Sequence, residues 1–247
     1  MKQQNMKKIN IELNDPYITH IGIEAVTDFY KTMAIDKLEL PGIVAVTTGV
    51  NSQFLNVVID TNVDTNISPE TIKAIIDFFV KCNVPWSWFV TQSVVNTSLV
   101  EQGFLLLEEM PGLYFDLSNQ LPNVHMQHIS VQEVDSNDDL SQWVKPLNEG
   151  FPTTDGYNDN DVYRELNANL LSTGEAKLRH FIAYYKNELA GAATLFIGNN
   201  SVMLHNLAVM KKFQRHGIGT ALALHRMRIA KQLDFRHCFF GCIRRWI

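Results

Sequence analysis

The stretch from Leu204 to Thr220, Leu-His-Asn-Leu-Ala-Val-Met-Lys-Lys-Phe-Gln-Arg-His-Gly-Ile-Gly-Thr, gathers the residue types most able to do chemistry. A strand-like apolar run ends at Val209, and a basic loop opens a helical pattern at Gly217. The first N–H groups of a helix have no intrahelical partner and point toward one spot. With the positive end of the helix dipole they form an anion site. Gly217 and Gly219 leave the backbone bare where a pyrophosphate would touch it, and Lys211, Lys212 and Arg215 add long-range attraction. Two nucleotide-binding schemes fail here. A P-loop needs a lysine after its last glycine, and the sequence there is Gly219-Thr220-Ala221. A dinucleotide fold needs a glycine where Leu222 stands and an acid where Phe239 and Phe240 stand, and its loop follows the first strand of a βαβ unit.

A third scheme fits. Gln214-Arg215-His216-Gly217-Ile218-Gly219 resembles the Gln/Arg-x-x-Gly-x-Gly/Ala pyrophosphate loop of GNAT N-acetyltransferases. Asn206-Leu207-Ala208-Val209 resembles the strand that commonly precedes that loop, and the β–α–α–β–β–β order ahead of it is also that of the family. The resemblance covers residues 124–240 and implies acetyl-CoA as cofactor. Carried over, Leu207 and Val209, with Ala208 between them, would bond the pantetheine arm through their main chain. Gln214, Arg215, His216, Gly217, Ile218, Gly219 and Thr220 would cradle the pyrophosphate.

The resemblance further implies direct transfer of acetyl from the thioester to a primary amine of a small molecule or a protein. An alkylammonium of pKa ~10.4 must first lose a proton, which costs roughly 4.6 kcal/mol at pH 7, so a general base would help. His205, near the strand end, is the candidate catalytic residue; a strand histidine of purely structural role is the alternative. The Val209 N–H is the donor expected to stabilise the developing oxyanion. Asp155 and Tyr157 fall where the family lines its acceptor site and are assigned no role. His216 and His225 read as structural, and Cys238 as a small core residue. The family often protonates the leaving thiolate with a tyrosine on a helix after its fifth strand, and this chain stops at Ile247. A catalytically impaired acyl-CoA-binding or interaction module is therefore the second reading. A nucleotide-binding regulator, taking ATP or NAD in place of CoA, is a third.

The elements that must hold this loop form an α/β (α+β) pattern: a central, mostly antiparallel mixed sheet flanked by helices. After a polar linker at Ser118–Asn123, a strand (125–134), a helix starting near 135–139, an irregular segment (150–161) and a helix ending near Gly174 are expected. Three strands follow at 179–186, 188–197 and 201–209, an antiparallel meander turning at Asn187 and at Gly198-Asn199-Asn200. A helix (217–233) packs Ile218, Ala221, Leu222, Ile229 and Leu233 on the sheet, and a strand (236–240) follows. The first half reads as helix 23–35, strands 43–48 and 54–60, and a helix from Ser68-Pro69-Glu70 to about Lys81. Then come a strand 86–90, a short helix 96–102, and a strand 104–117 interrupted at Pro111-Gly112. Glu101-Gln102-Gly103-Phe104 and the strand through Tyr114–Leu117 resemble the end of a GNAT fold. Residues 1–121 are thus expected to be a degenerate GNAT-like copy without a CoA loop, and 122–247 the acetyl-CoA-binding domain.

Composition supports a folded core, 46% apolar and 19% charged over 247 residues. A net charge of −5 argues against a nucleic-acid partner. Residues 201–247 nevertheless hold nine Lys/Arg and one acid, while residues 1–200 hold twelve basic and twenty-five acidic residues. Arg226 and Arg228 read as a solvated helix face. No run has the ~20 apolar residues of a membrane span, and Cys82, Cys238 and Cys242 lack metal-ligand spacing. A cytoplasmic protein without metal or membrane partner is expected. The ending Phe239–Ile247 is unlike that of a GNAT domain; one codon choice for it, with a single T removed, reads Phe-Leu-Asp-Ala-Ser-Glu-Asp-Gly. The sequence therefore leads to the expectation of a truncated domain whose last strand is an exposed apolar edge, prone to homodimerise or aggregate.

Overall fold

The computed structural model describes residues 15–61, 67–90, 97–105, 112–124, 126–150 and 177–241. The expected irregular segment with Asp155 and Tyr157, the helix ending near Gly174 and the tail 242–247 lie outside these residues. Helix α1 (Pro16–Met33) starts earlier than its apolar period predicts. Asp15 caps it by accepting the Tyr17 N–H at 2.9 Å, and Pro16 stands where a missing N–H is harmless. Strands β1 (Asp36–Leu40), β2 (Ile43–Thr47), β3 (Val57–Asp60) and β4 (Ser87–Phe89) form a sheet in that order, with helix α2 (Pro69–Cys82) between β3 and β4. Ser68 caps α2 by accepting the Thr71 N–H, the start that Ser68-Pro69-Glu70 predicts. Strand β1 has no counterpart in the sequence reading; it is short and mostly exposed, with only Leu38 and Leu40 turned toward the core. Helix α3 (Thr97–Glu101) then leads toward strand β5 (Gly112–Asp116).

The second sheet contains β6 (Ile129–Glu133), β7 (Leu178–Tyr185), β8 (Glu188–Ile197), β9 (Ser201–Val209) and β10 (His237–Gly241), in the order β5-β10-β9-β8-β7-β6. The meander β7–β8–β9 is antiparallel, as its turn residues predict, and Lys186 and Asn187 both take positive φ in the first turn. Helix α4 (Asn137–Gly150) packs on one face of this sheet and helix α5 (Ile218–Gln232) on the other.

The expectation of an exposed last strand is overturned. Strand β5 runs antiparallel to β10 over its whole length, from His237↔Asp116 to Gly241↔Gly112. Phe239 is only 7% exposed, packed with Tyr114 and with α1. Arg236 and Asp116 tie the start of this ladder at 3.0 Å, and the guanidinium beside Asp116 holds its carboxyl down at about 2. The edge that invited association is thus closed by the chain's own first half. The boundary expected at 121/122 separates the sequence but not the sheets, since β5 precedes it.

Helix α1 joins the halves. In one apolar cluster it meets Val44, Val46, Val57 and Ile59 of the first sheet and Leu178, Phe196, Met203 and Phe239 of the second. A segment starting near Asn123 would lose both α1 and β5, exposing Phe196, Met203, Phe239 and a strand edge. It is expected to elute as oligomer or aggregate in size-exclusion chromatography, whereas the whole chain elutes as one sharp species. A monomeric 123–247 segment that unfolds cooperatively would show α1 and β5 to be dispensable.

Candidate functional site

Strand β9 follows β8 to its end but pairs in parallel with β10 only from Ser201 to Leu204. The described part of β10 ends one residue after Phe240, the partner of Leu204, at Gly241. Between Ala192↔Ala208 and Thr194↔His205 the register slips: Asn206 and Leu207 together face Ala193, a β-bulge with Asn206 at φ +49. Asparagine tolerates that conformation better than most side chains. The Met210 N–H donates to Ala190 O at 2.9 Å, so the main-chain groups of 208 and 210 turn toward β8. Those of Leu207 and Val209 turn the other way, away from β8. The Val209 carbonyl there accepts from Gln214 Nε2 at 3.4 Å.

A 3-10 turn (Lys211–Phe213) carries the chain to α5. Arg215 (φ +65) and Gly217 (φ +85) both take left-handed conformations, and Gly217 is the N-cap with no side-chain cap bond. The Ala221 N–H is satisfied by Gly217 O, leaving the amides of Ile218, Gly219 and Thr220 as the uncapped helix start. Gly217 is needed for its φ; a Cβ there would meet only Ile129 Cδ1, at 3.9 Å. Gly191 on β8 serves close approach instead, since a Cβ would come within 2.9 Å of Ala208 O and 3.1 Å of Ile218 Cγ2. Beside the helix start lies a pocket of about 500 Å³ walled by His128, Ile129, Tyr185, His216, Gly217 and Thr220.

Two carboxylates reach the loop, one to a side chain and one to the main chain. Lys212 pairs with Glu188 at 2.7 Å, and the Lys211 N–H donates to Glu149. His216 folds back on Gln214 O, with Nδ1 2.9 Å away, and Tyr185 lies against its ring. The buried Cys238 thiol is pushed up to about 12, which suits a core residue.

His205 is partly buried on β9, its Nδ1 3.0 Å from Asn206 Oδ1, and its ring stacks on Phe29 of α1 at 4.2 Å. Burial lowers its pKa; the Asn206 contact opposes this and the Arg226 charge adds to it. Thr194 on β8 and His180 on β7 stand in register with it, and His180 Nδ1 meets Thr194 Oγ1 at 2.9 Å. Burial takes His180 down to about 3, so both imidazoles are neutral at neutral pH.

The solvated face expected at Arg226 and Arg228 is corrected for the first of them. Arg228 is exposed, but Arg226 is 1% exposed and lies against the sheet. Its period on α5 places it among Leu222, Met227 and Ala230, all buried, while Leu233 is exposed. Sequence reasoning also missed Phe29 and Trp143. A positive-φ Asn at the end of a strand was the one local signal for the bulge.

Residues 138–244 match the model of the acetyltransferase (GNAT) family, a span that runs from α4 through the loop to β10. The chain is similar in structure to a GCN5-related N-acetyltransferase from Kribbella flavida, with a TM-score of 0.68 at 10% identity, covering 91% of this chain and 85% of that one. It is also similar to a functionally unknown conserved protein from Staphylococcus epidermidis, with a TM-score of 0.60 at 12% identity and 88% of each chain covered. No curated protein matches the sequence. The family model thus matches residues 138–244, and over most of its length the chain shares the fold of the Kribbella protein.

The site geometry sets the titration of His205. Its imidazole pKa is expected below the ordinary 6.5, because the charged form is the one that burial disfavours. Phe29→Ala uncovers the ring and should move the value back up. Proton NMR of the His205 ring in both chains reads this; a wild-type value at or above 6.5 would contradict the burial seen here.

Proposed function

We propose that this protein is an acetyl-CoA-dependent N-acetyltransferase acting on a primary amine of a small molecule or protein. One observation carries the reading: Leu207 and Val209 turn their main chain away from β8 and lie against Gly219, at an uncapped helix start. That arrangement fits a cofactor with an amide-bearing arm and a pyrophosphate. The arm would lie along Leu207, Ala208 and Val209, and the pyrophosphate on the amides of Gly217, Ile218, Gly219 and Thr220, flanked by Gln214, Arg215 and His216. Acetyl-CoA, when bound, supplies an acetyl group activated as a thioester. The chain's own part is to hold the amine beside it, exclude water and accept a proton. His205, neutral at working pH, is the group proposed to take that proton, directly or through water. The Val209 N–H is the proposed donor to negative charge on the acetyl oxygen.

Residues 1–121 fit a GNAT-like copy that binds no CoA, for they contain no Gly-x-Gly sequence. In that reading the protein is a tandem whose first half has become a support for the second. A second reading, an acyl-CoA-binding module without turnover, is favoured by the Phe29 ring covering the His205 face. An amine-panel assay alongside CoA calorimetry separates the two, since both bind and only the first turns over.

Gly217→Glu is expected to abolish CoA binding in a folded protein. The carboxylate would occupy the anion site, and the open space around the Cβ leaves it room. Gly217→Asn, which tolerates positive φ, should retain most of the affinity. Equal CoA affinity in folded Gly217→Glu, measured by calorimetry, would remove the assignment. With an accepted amine, His205→Gln should lower kcat by about 100-fold while leaving CoA affinity within about twofold. In the wild type the acidic limb of kcat/KM should lie below pH 6.5, since transfer needs the neutral ring and burial depresses its pKa. A His205→Gln chain with the wild-type rate and the same acidic limb would show that another group serves as base.

A further inference from the structure

Arg226 lies on α5 two turns after the helix start. Its Nε donates to Leu222 O at 3.1 Å, one turn back. Its Nη1 donates to Thr194 O on β8 at 2.6 Å and to His205 O on β9 at 3.0 Å. Those carbonyls belong to the register pair immediately before the bulge. One guanidinium nitrogen thus bridges the two strands at the point where β9 takes its extra residue. From the opposite face of the sheet, Trp143 Nε1 of α4 donates to Ala193 O at 3.2 Å, the residue that the bulge confronts.

Among the described residues no carboxylate pairs with Arg226. Burial pushes its pKa down to about 9, which leaves it cationic at neutral pH. Its nearest titratable neighbours are Cys238, His205 and His225, all neutral there. A neutral donor, such as the Trp143 indole on the other face, is enough to hold a carbonyl. Burying a cation without a counter-ion costs several kcal/mol, only part of which carbonyl acceptors offset. What the charge adds is a positive potential beneath β9, at the level of the bulge. In so dry a place a charge acts over a long range.

We propose that Arg226 is a positioning residue of the transfer site. It fixes the bulge that turns the Leu207 and Val209 main chain away from β8 and toward the start of α5, and its charge favours the negative charge that acyl transfer develops there. The electrostatic part rests on the acetyl-CoA reading given above; the clamp on the bulge does not.

Arg226→Met keeps the side-chain volume and removes both donors and charge. The folded variant is expected to exchange the amides of residues 205–209 about tenfold faster or more, with β7 unchanged. Its CoA affinity should fall about tenfold or more. Arg226→Lys, which keeps the charge and a donor, should recover CoA affinity to within about threefold of wild type. Where Arg226→Met does not fold, Arg226→Gln, which keeps one donor without the charge, is read in the same way. Wild-type exchange across 205–209 in the folded variant overturns the clamp. CoA affinity within about twofold of wild type in that variant, or an Arg226→Lys chain no better than Arg226→Met, overturns the electrostatic part. A wild-type protein that binds no CoA by calorimetry removes the cofactor reading and the electrostatic part with it, while amide exchange still decides the clamp.

Discussion

Among the described residues the parallel ladder between β9 and β10 runs to Phe240↔Leu204, and β9 continues along β8 to Val209. A strand that loses one neighbour while keeping the other exposes a row of main-chain donors and acceptors, which folded proteins normally pair or cover. Here the bulge at Asn206 sets which of those groups face outward, and the turn after Val209 brings the uncapped start of α5 beside them. One departure from regular pairing therefore turns the Leu207 and Val209 main chain away from β8, beside the helix start. The rest of the molecule can be understood as what makes that departure stable.

Part of the support is steric and part polar. On one face, the α4 side chains Leu140, Trp143 and Leu147 pack on Ile182, Ala192 and Ala208, and the Trp143 indole meets the Ala193 carbonyl. On the other face, the missing side chain at Gly191 lets Ile218 and Leu222 approach β8 closely, which brings Arg226 within reach of the two strands. Interruptions of a ladder leave carbonyls that need partners in the dry interior. An indole and a guanidinium meet them from opposite sides, so the bulge has a fixed shape before any ligand arrives.

Legibility in the sequence followed the range of the interactions concerned. The meander, its turns, the loop from Gln214 to Thr220, the capped start of α2 and the glycine start of α5 are local, and periodicity with turn chemistry located them within a few residues. Strand β1 was missed because Asp36–Leu40 is short and largely exposed, and its alternation rests on Leu38 and Leu40 alone. The β5–β10 ladder joins residues about 120 apart in sequence, and no local pattern could reveal it. Arg226 was misread for a related reason: on charge alone an arginine beside Arg228 belongs to solvent, yet the helix period sets it among Leu222, Met227 and Ala230. Phe29 was equally hidden, since its partner His205 lies far along the chain, on the other side of the expected domain boundary.

That boundary is where the physical dependence is strongest. The glycine loop belongs wholly to the second half, but the sheet holding it has β5 as one of its edges, and β5 comes from the first. Helix α1 is apolar on more than one side because it is buried twice, against β2 and β3 and against β8, β9 and β10. The first sheet gives α1 a fixed seat, and α1 in turn sets Phe29 flat on His205 and covers Phe196, Met203 and Phe239. A first half without a glycine loop therefore still has a definite task. Phe29 keeps the imidazole beside the bulge dry and neutral, and β5 removes the strand edge at which the second sheet would otherwise associate with its own copies.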